Sequence, residues 1–213
     1  MPITSEMLGR YLNPVFVETG SWHGLGIKAA LQAGFQKVHS IELSPLLYRE
    51  CAQTFASDDR VNLWWGDSAE MLKFVLARLK VPATFWLDGH YSGGDTVLGS
   101  KHSPLMDELD LIAAHPIKTN TILVDDIRGF YRDDERYRFD RVGIADKLQA
   151  INLNYSVSVL AGTDIMVASL PPAQSAPSAP EAPAPGAVPA APPSPCPSEP
   201  AQCGPPPGKT FLP

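Results

Sequence analysis

The stretch Pro14-Val-Phe-Val-Glu18-Thr-Gly20-Ser-Trp-His-Gly24-Leu-Gly26 reads as a buried strand that ends in an acid and turns through glycines into a helix. Residues 14–18 form a short β-prone run, and Ile27, Ala30 and Leu31 follow at helical spacing up to Gly34, where a C-terminal cap belongs. Gly20, Gly24 and Gly26 fit either a plain strand-to-helix turn or a backbone that must come close to a ligand.

The alternation continues outward from this unit. Apolar β-rich runs recur at 37–43, 61–66, 83–88 and 121–125, with helical segments between them. Ser44 before Pro45 and Ser103 before Pro104 each place an N-cap ahead of proline at a first helical position. Leu72, Val75, Leu76 and Leu79 make an apolar stripe on the helix after the third strand.

Beyond Asp126 comes an arginine-rich loop over 128–140, then a helix with Ile144, Leu148 and Ile151 on one face. Two further runs, 155–160 and 164–170, are separated only by Ala161, Gly162 and Thr163, a link so short that they must pair as an antiparallel hairpin. The pattern predicts a doubly wound, Rossmann-like α/β fold with a seven-stranded sheet, mostly parallel and closed by an antiparallel terminal hairpin.

The 213 residues carry 44% hydrophobic side chains, enough for one globular core. Of the 22 prolines, 16 lie at or after Pro171, which divides the chain into a body, 1–170, and a Pro/Ala-rich tail, 171–213. The tail has too little apolar surface to offset its ordering entropy and reads as disordered, with polyproline II stretches. Such a tail is either a solvated extension or a recruiting segment for a proline-motif-binding protein.

The net charge of -6 leaves no basic field for polyanions, so a dedicated nucleic-acid binder is not expected. No apolar run approaches the roughly 20 residues a membrane span needs, and residues 1–10 lack a signal-peptide pattern. These features point to a cytoplasmic chain with no membrane contact. Cys51, Cys196 and Cys203 form neither a disulfide framework nor a zinc spacing.

Each parallel strand ends in an acid: Glu18, Glu42, Asp67, Asp88 and the pair Asp125 and Asp126. In open α/β sheets the carboxy-terminal strand ends share one edge, where ligands bind. Glu42 follows Gly20 by about one βα unit, the spacing of an acid that holds ribose hydroxyls beside a glycine turn.

Glu18-Thr-Gly20-Ser21-Trp22-His-Gly24 followed by Ile-Glu42-Leu-Ser resembles the first two motifs of class I S-adenosylmethionine-dependent methyltransferases. The resemblance spans about residues 13–170, and Trp22 in place of a common middle glycine is similar to the metal-dependent catechol O-methyltransferase-like branch. It implies that Glu18 and Gly20, with Ser21 and Gly24 in the same turn, border the methionine part of the cofactor. Glu42 would hold the ribose, and Asp67 with Ser68 would face the adenine.

In that branch an aspartate after the fourth strand and an acidic pair after the fifth hold magnesium. Asp88, Asp125 and Asp126 supply the matching set. Magnesium takes hard oxygen ligands and lowers the pKa of a coordinated hydroxyl. The alternative is that Asp88 lines the cofactor while Asp125 and Asp126 cap the next loop or pair with Arg128, Arg132 or Arg138.

The catechol-type lysine three residues after the first metal aspartate is Tyr91 here, so His90 and Tyr91 become the candidate catalytic groups. His90 is open to a structural reading as well. The polar stretch from Tyr91 to His102 is placed to cover an acceptor site. The stretch Phe85-Trp-Leu-Asp-Gly-His-Tyr-Ser-Gly-Gly, with Ser103-Pro-Leu-Met-Asp-Glu-Leu and His115-Pro-Ile, resembles small bacterial methyltransferase-like proteins and is distantly similar to macrocin-type sugar O-methyltransferases.

Three functions follow from these readings. The first is an S-adenosylmethionine-dependent O-methyltransferase acting on a small-molecule hydroxylated acceptor with magnesium. The second is a catalytically silent, methyltransferase-like binding module whose tail recruits a partner. The third keeps the sheet and does nucleotide-sugar or phosphate-ester chemistry, for which a phosphate-binding glycine loop with lysine is missing.

Overall fold

A computed structural model of the chain describes residues 3–91, 93–94, 96–130 and 139–171. They belong to a unit spanning Met1–Gln174; the second unit, Ser175–Pro213, and all of the expected disordered tail beyond Pro171 lie outside the described residues. So do Arg132 and Arg138.

A short helix α1 (Ser5–Gly9) precedes the alternation β1 (Val15–Thr19), α2 (Leu25–Ala33), β2 (Lys37–Glu42), α3 (Pro45–Thr54), β3 (Val61–Trp65), α4 (Ser68–Leu76), β4 (Ala83–Leu87), α5 (Leu105–Ala114) and β5 (Thr121–Val124). A single 3-10 turn (Ile127–Gly129) leads on to α6 (Arg141–Ile151) and the hairpin β6 (Ser156–Val159) and β7 (Met166–Ser169). The seven strands lie in the order β3-β2-β1-β4-β5-β7-β6. β1 to β5 are mutually parallel and β7 runs antiparallel to both β5 and β6, as the short hairpin link requires.

Strand residues alternate between two cores because successive side chains point to opposite faces. Val17, Phe85 and Ile122 pack with Leu72, Leu109, Ile144 and Leu148 of α4, α5 and α6. Phe16, Trp86 and Leu123 pack on the other face with Leu8, Ile27 and Cys51 of α1, α2 and α3. Central strands buried on both sides explain the unbroken apolar runs of β1, β4 and β5.

The caps set where helices start. Ser44 accepts from the Leu47 N–H with Pro45 at the first helical position, Asp67 accepts from Ala69 N, and Asp140 accepts from Gly143 N. α5 begins one residue later than the Ser103-Pro104 pair suggests: Pro104, with φ -81° and ψ -1°, is the cap, and Ser103 Oγ accepts from Leu105 N. The β6–β7 link is also longer than expected. Leu160 N donates to Ile165 O and Gly162 takes φ +75°, so Asp164 sits in the turn and not in the strand. Among the described residues no helix is long and apolar enough to cross a membrane.

Candidate functional site

The parallel topology brings the ends of β1 to β5 to one edge, and a cavity of about 480 Å³ opens there. Gly20, Trp22, Glu42, Asp67, Ser68, Asp88, His90, Tyr91 and Asp126 line it. The turn after β1 forms one wall. Gly20 takes φ +85°, and a Cβ there would stand 2.6 Å from the Asp88 carbonyl oxygen. Only glycine lets the first loop approach the end of β4 so closely.

Trp22 has φ +46°, an unfavourable backbone for a bulky residue. Its N–H donates to Glu42 Oε2 at 2.9 Å, and Ser44 N donates to Glu42 Oε1 at 2.7 Å. Glu42 thus fixes the turn, and the backbone N–H groups of Leu43 and Ser21 act on its carboxylate as well. Burial raises its pKa, and these backbone N–H groups act against the rise.

Asp67 works in two directions. Oδ1 caps α4 through Ala69 N, while Oδ2 accepts from Ser100 Oγ at 3.1 Å. Through this contact the 96–101 segment, with Thr96, Val97, Gly99 and Lys101, forms a second wall of the cavity. Tyr91 N donates to His102 O at 2.8 Å and closes the base of that loop, and Lys101 pairs with Asp107 at 2.5 Å.

Four expected site residues do not line the cavity: Glu18, Ser21, Gly24 and Asp125. Glu18 lies a layer below, buried under α2, where a Cβ on Gly26 would run into its Oε2. Ser40, its register partner across β2, donates to Oε1 at 2.6 Å. Burial pushes Glu18 up to about 8; the Ser40 hydroxyl opposes this, and Asp88 and Glu42 add to it. Ser21 is hydrogen-bonded to Ser40, and Gly24 (φ +73°) opens α2 against the Phe55 ring, which a Cβ would meet at 2.6 Å.

At the other end of the cavity His90 spans two strand ends. Its Nδ1 lies 3.2 Å from Asp88 Oδ1 and its Nε2 3.2 Å from Asp126 Oδ2. Burial disfavours the imidazolium, but the two carboxylates outweigh it and hold His90 up to about 10. His90 in turn lowers Asp126. Asp126 reaches this place through a left-handed backbone, φ +53°, with its N–H on Asp125 Oδ1. Burial and the Asp88 carboxylate push Asp125 up to about 7.

Among the described residues, donors that lie within 4.8 Å of one another form two groups: Asp88, His90 and Asp126, and Asp125, Asp126 and Asp164. The expected ligands Asp88, Asp125 and Asp126 are therefore split between two groups that share Asp126. A second cavity of about 400 Å³ adjoins the first through His90 and Asp126 and includes Arg128, Phe130 and Asp164. Arg128, raised in pKa by Asp164, donates from Nε to Asp164 Oδ2 at 2.8 Å.

Two residues escaped the sequence reading. Asp164 looked like the start of a strand, and nothing in its neighbourhood marks it otherwise. Glu108 did leave a signal: it occupies the buried stripe of α5 formed by Leu105, Leu109 and Ile112, where an apolar residue belongs.

No family model matches the sequence, and a search of curated proteins finds no match. Solved structures do match the fold. The S-adenosylhomocysteine-bound methyltransferase PaMTH1 of Podospora anserina aligns over 79% of this chain and 76% of its own, with a TM-score of 0.54 and 15% identity. An O-methyltransferase from Bacillus cereus in complex with S-adenosylhomocysteine aligns over 78% of each chain, with a TM-score of 0.53 and 16% identity. Human methyltransferase-like protein 13, also with S-adenosylhomocysteine, aligns over 83% of this chain and 80% of its own, with a TM-score of 0.51 and 15% identity. The chain has the fold of S-adenosylmethionine-dependent methyltransferases.

Proposed function

We propose that the chain is an S-adenosylmethionine-dependent methyltransferase that O-methylates a small hydroxylated acceptor with the help of a divalent metal ion. The observation that carries the reading is Glu42 at the end of β2, facing a 480 Å³ cavity beside the Gly20 turn and Asp67. Glu42 would accept from the ribose hydroxyls, and Asp67 with Ser68 would border the adenine. Gly20 would let the methionine part lie against the backbone, with Glu18, Ser21 and Gly24 shaping that turn from below. The 96–101 wall would exclude water from the cofactor.

For the metal, Asp88 and Asp126 offer hard oxygen donors on the wall of the first cavity, with His90 between them, and Asp126 is shared with the second group, Asp125 and Asp164. This donor set fits a divalent ion. When bound, the cofactor would supply an electrophilic methyl group and the ion a lowered hydroxyl pKa. His90 is held protonated on both ring nitrogens between two carboxylates, so it could take the acceptor's proton at Nε2 only after the proton already there has passed to Asp126 or to solvent. Tyr91, which lines the same cavity, would orient the acceptor.

The test is methyl transfer from labelled S-adenosylmethionine to a panel of catechols, phenols and sugars, with wild type and Asp126→Asn, with magnesium and with chelator. Transfer that needs both Asp126 and the ion, with S-adenosylhomocysteine affinity unchanged in the variant, supports the reading. Transfer at full rate in chelator removes the metal from it, and cofactor binding with no transfer to any acceptor points to a binding module.

A further inference from the structure

We infer that Glu108 is a positioning residue for the cofactor cavity: from beneath the floor it holds the loops after β1, β3 and β4 in their ligand-binding arrangement. The inference rests on the methyltransferase reading above and adds to it a residue of α5 that does not line the cavity.

Glu108 is 1% exposed and lies on the otherwise apolar stripe of α5. Its Oε1 meets no donor in hydrogen-bonding geometry among the described residues. A Cβ added at Gly89 would stand 3.2 Å from that oxygen, 3.3 Å from Ser68 Oγ and 3.3 Å from Thr19 Oγ1, so three oxygens converge under one glycine. Each hydroxyl or glycine flanks or belongs to a different loop. Thr19 precedes Gly20, Ser68 follows Asp67, and Gly89 follows Asp88, and these loops supply the floor of the cavity. Thr19 also ties two of them directly, since Asp88 N donates to its carbonyl and stands 3.3 Å from its Oγ1.

A buried carboxyl without full partners costs stability, and an apolar side chain of similar size would serve the α5 stripe better. Burial pushes Glu108 up to about 7; the facing hydroxyls of Ser68 and Thr19 oppose the rise, and Asp67 and Asp88 add to it. What the carboxyl gives in return is an oxygen that shares the space under Gly89 with the hydroxyls at the end of β1 and the start of α4, where a small shift of either hydroxyl would let it accept from them. A residue kept at a cost to the fold in this way is expected at a functional site.

The experiment compares wild type, Glu108→Gln and Glu108→Met in the full chain by ligand-free melting temperature and by calorimetric titration with S-adenosylhomocysteine. A positioning role moves the two readouts apart. Glu108→Met melts at or above the wild-type temperature yet binds at least tenfold more weakly, and Glu108→Gln, which keeps an acceptor oxygen, binds within threefold of wild type. A Glu108→Met protein that fails to fold, or that loses stability and affinity in step, shows an ordinary structural residue and overturns the inference. Wild-type affinity in Glu108→Met overturns it too, as does a Glu108→Gln protein as weak as Glu108→Met. Absence of binding by folded wild type refutes the underlying methyltransferase reading and takes the inference with it, an outcome distinct from the others.

Discussion

Replacing Glu18 with Gln removes a buried acid while keeping its shape and the carbonyl oxygen that accepts from Ser40. Glu18 titrates near 8 in the folded protein against an ordinary value of 4.5, with burial as the first cause. The folded chain therefore keeps the proton that the unfolded chain releases above 4.5. Wherever the native state binds more protons, stability falls as pH rises, by about 1.4 kcal/mol per pH unit for one group. The loss begins near 4.5 and levels off above about 8. Taken over the whole window it reaches on the order of 4–5 kcal/mol, an upper value because buried sites relax and admit water. Glu18→Gln has no such proton to lose. Urea unfolding at intervals from pH 5 to pH 9 should show the variant near wild type at the acid end and more stable by about 2–4 kcal/mol at the alkaline end. Glu108 and Asp125, also raised to about 7, tilt both proteins equally and cancel in the difference. Parallel stability curves for the two proteins would refute the placement of Glu18 as a buried, protonated acid.

Gly20→Ala puts a Cβ 2.6 Å from the Asp88 carbonyl oxygen at a φ of +85°, so it should cost at least about 2 kcal/mol, or roughly 4–8 °C in Tm, and weaken S-adenosylhomocysteine binding; an unchanged melting curve would contradict the close approach. A chain ending at Leu170 should keep its Tm within a few degrees, since the composition beyond it gives little to pack; a large loss would contradict the division of body from tail.

The fold was legible because its signals are local and repeat. The strand runs, the glycine at Gly34 and the Ser44-Pro45 start each report a backbone preference that the tertiary structure does not override. The three-residue gap at 161–163 shows only that a hairpin forms. The turn takes up Asp164 as well, because its register depends on pairing with β5 as much as on the link.

The site was legible as an edge but not in depth. Topology alone puts the strand-end acids together, and Glu42, Asp67 and Asp88 do line the cavity. Whether a side chain near a strand end faces the cavity or the layer below depends on the pleat and on the neighbouring helix. Glu18 shares the face of Phe16 and Trp86 and so comes to lie under α2. His90 reaches Asp126, and Asp164 joins Asp125 and Asp126, by contacts between residues far apart in sequence, and no spacing rule encodes those. Glu108 was the exception, a carboxylate on an apolar stripe, visible to anyone counting helical positions.

The central claim is a cofactor site organised by Glu42. Its most direct test is calorimetric titration of S-adenosylmethionine and S-adenosylhomocysteine into wild type and Glu42→Ala, with and without magnesium. The account predicts that wild type binds both ligands and that Glu42→Ala, having lost charge-assisted hydrogen bonds worth about 1.5–3 kcal/mol each, binds them at least about 100-fold more weakly while still folded. Folded wild type that binds neither ligand in any condition, or Glu42→Ala that binds as well as wild type, would contradict it.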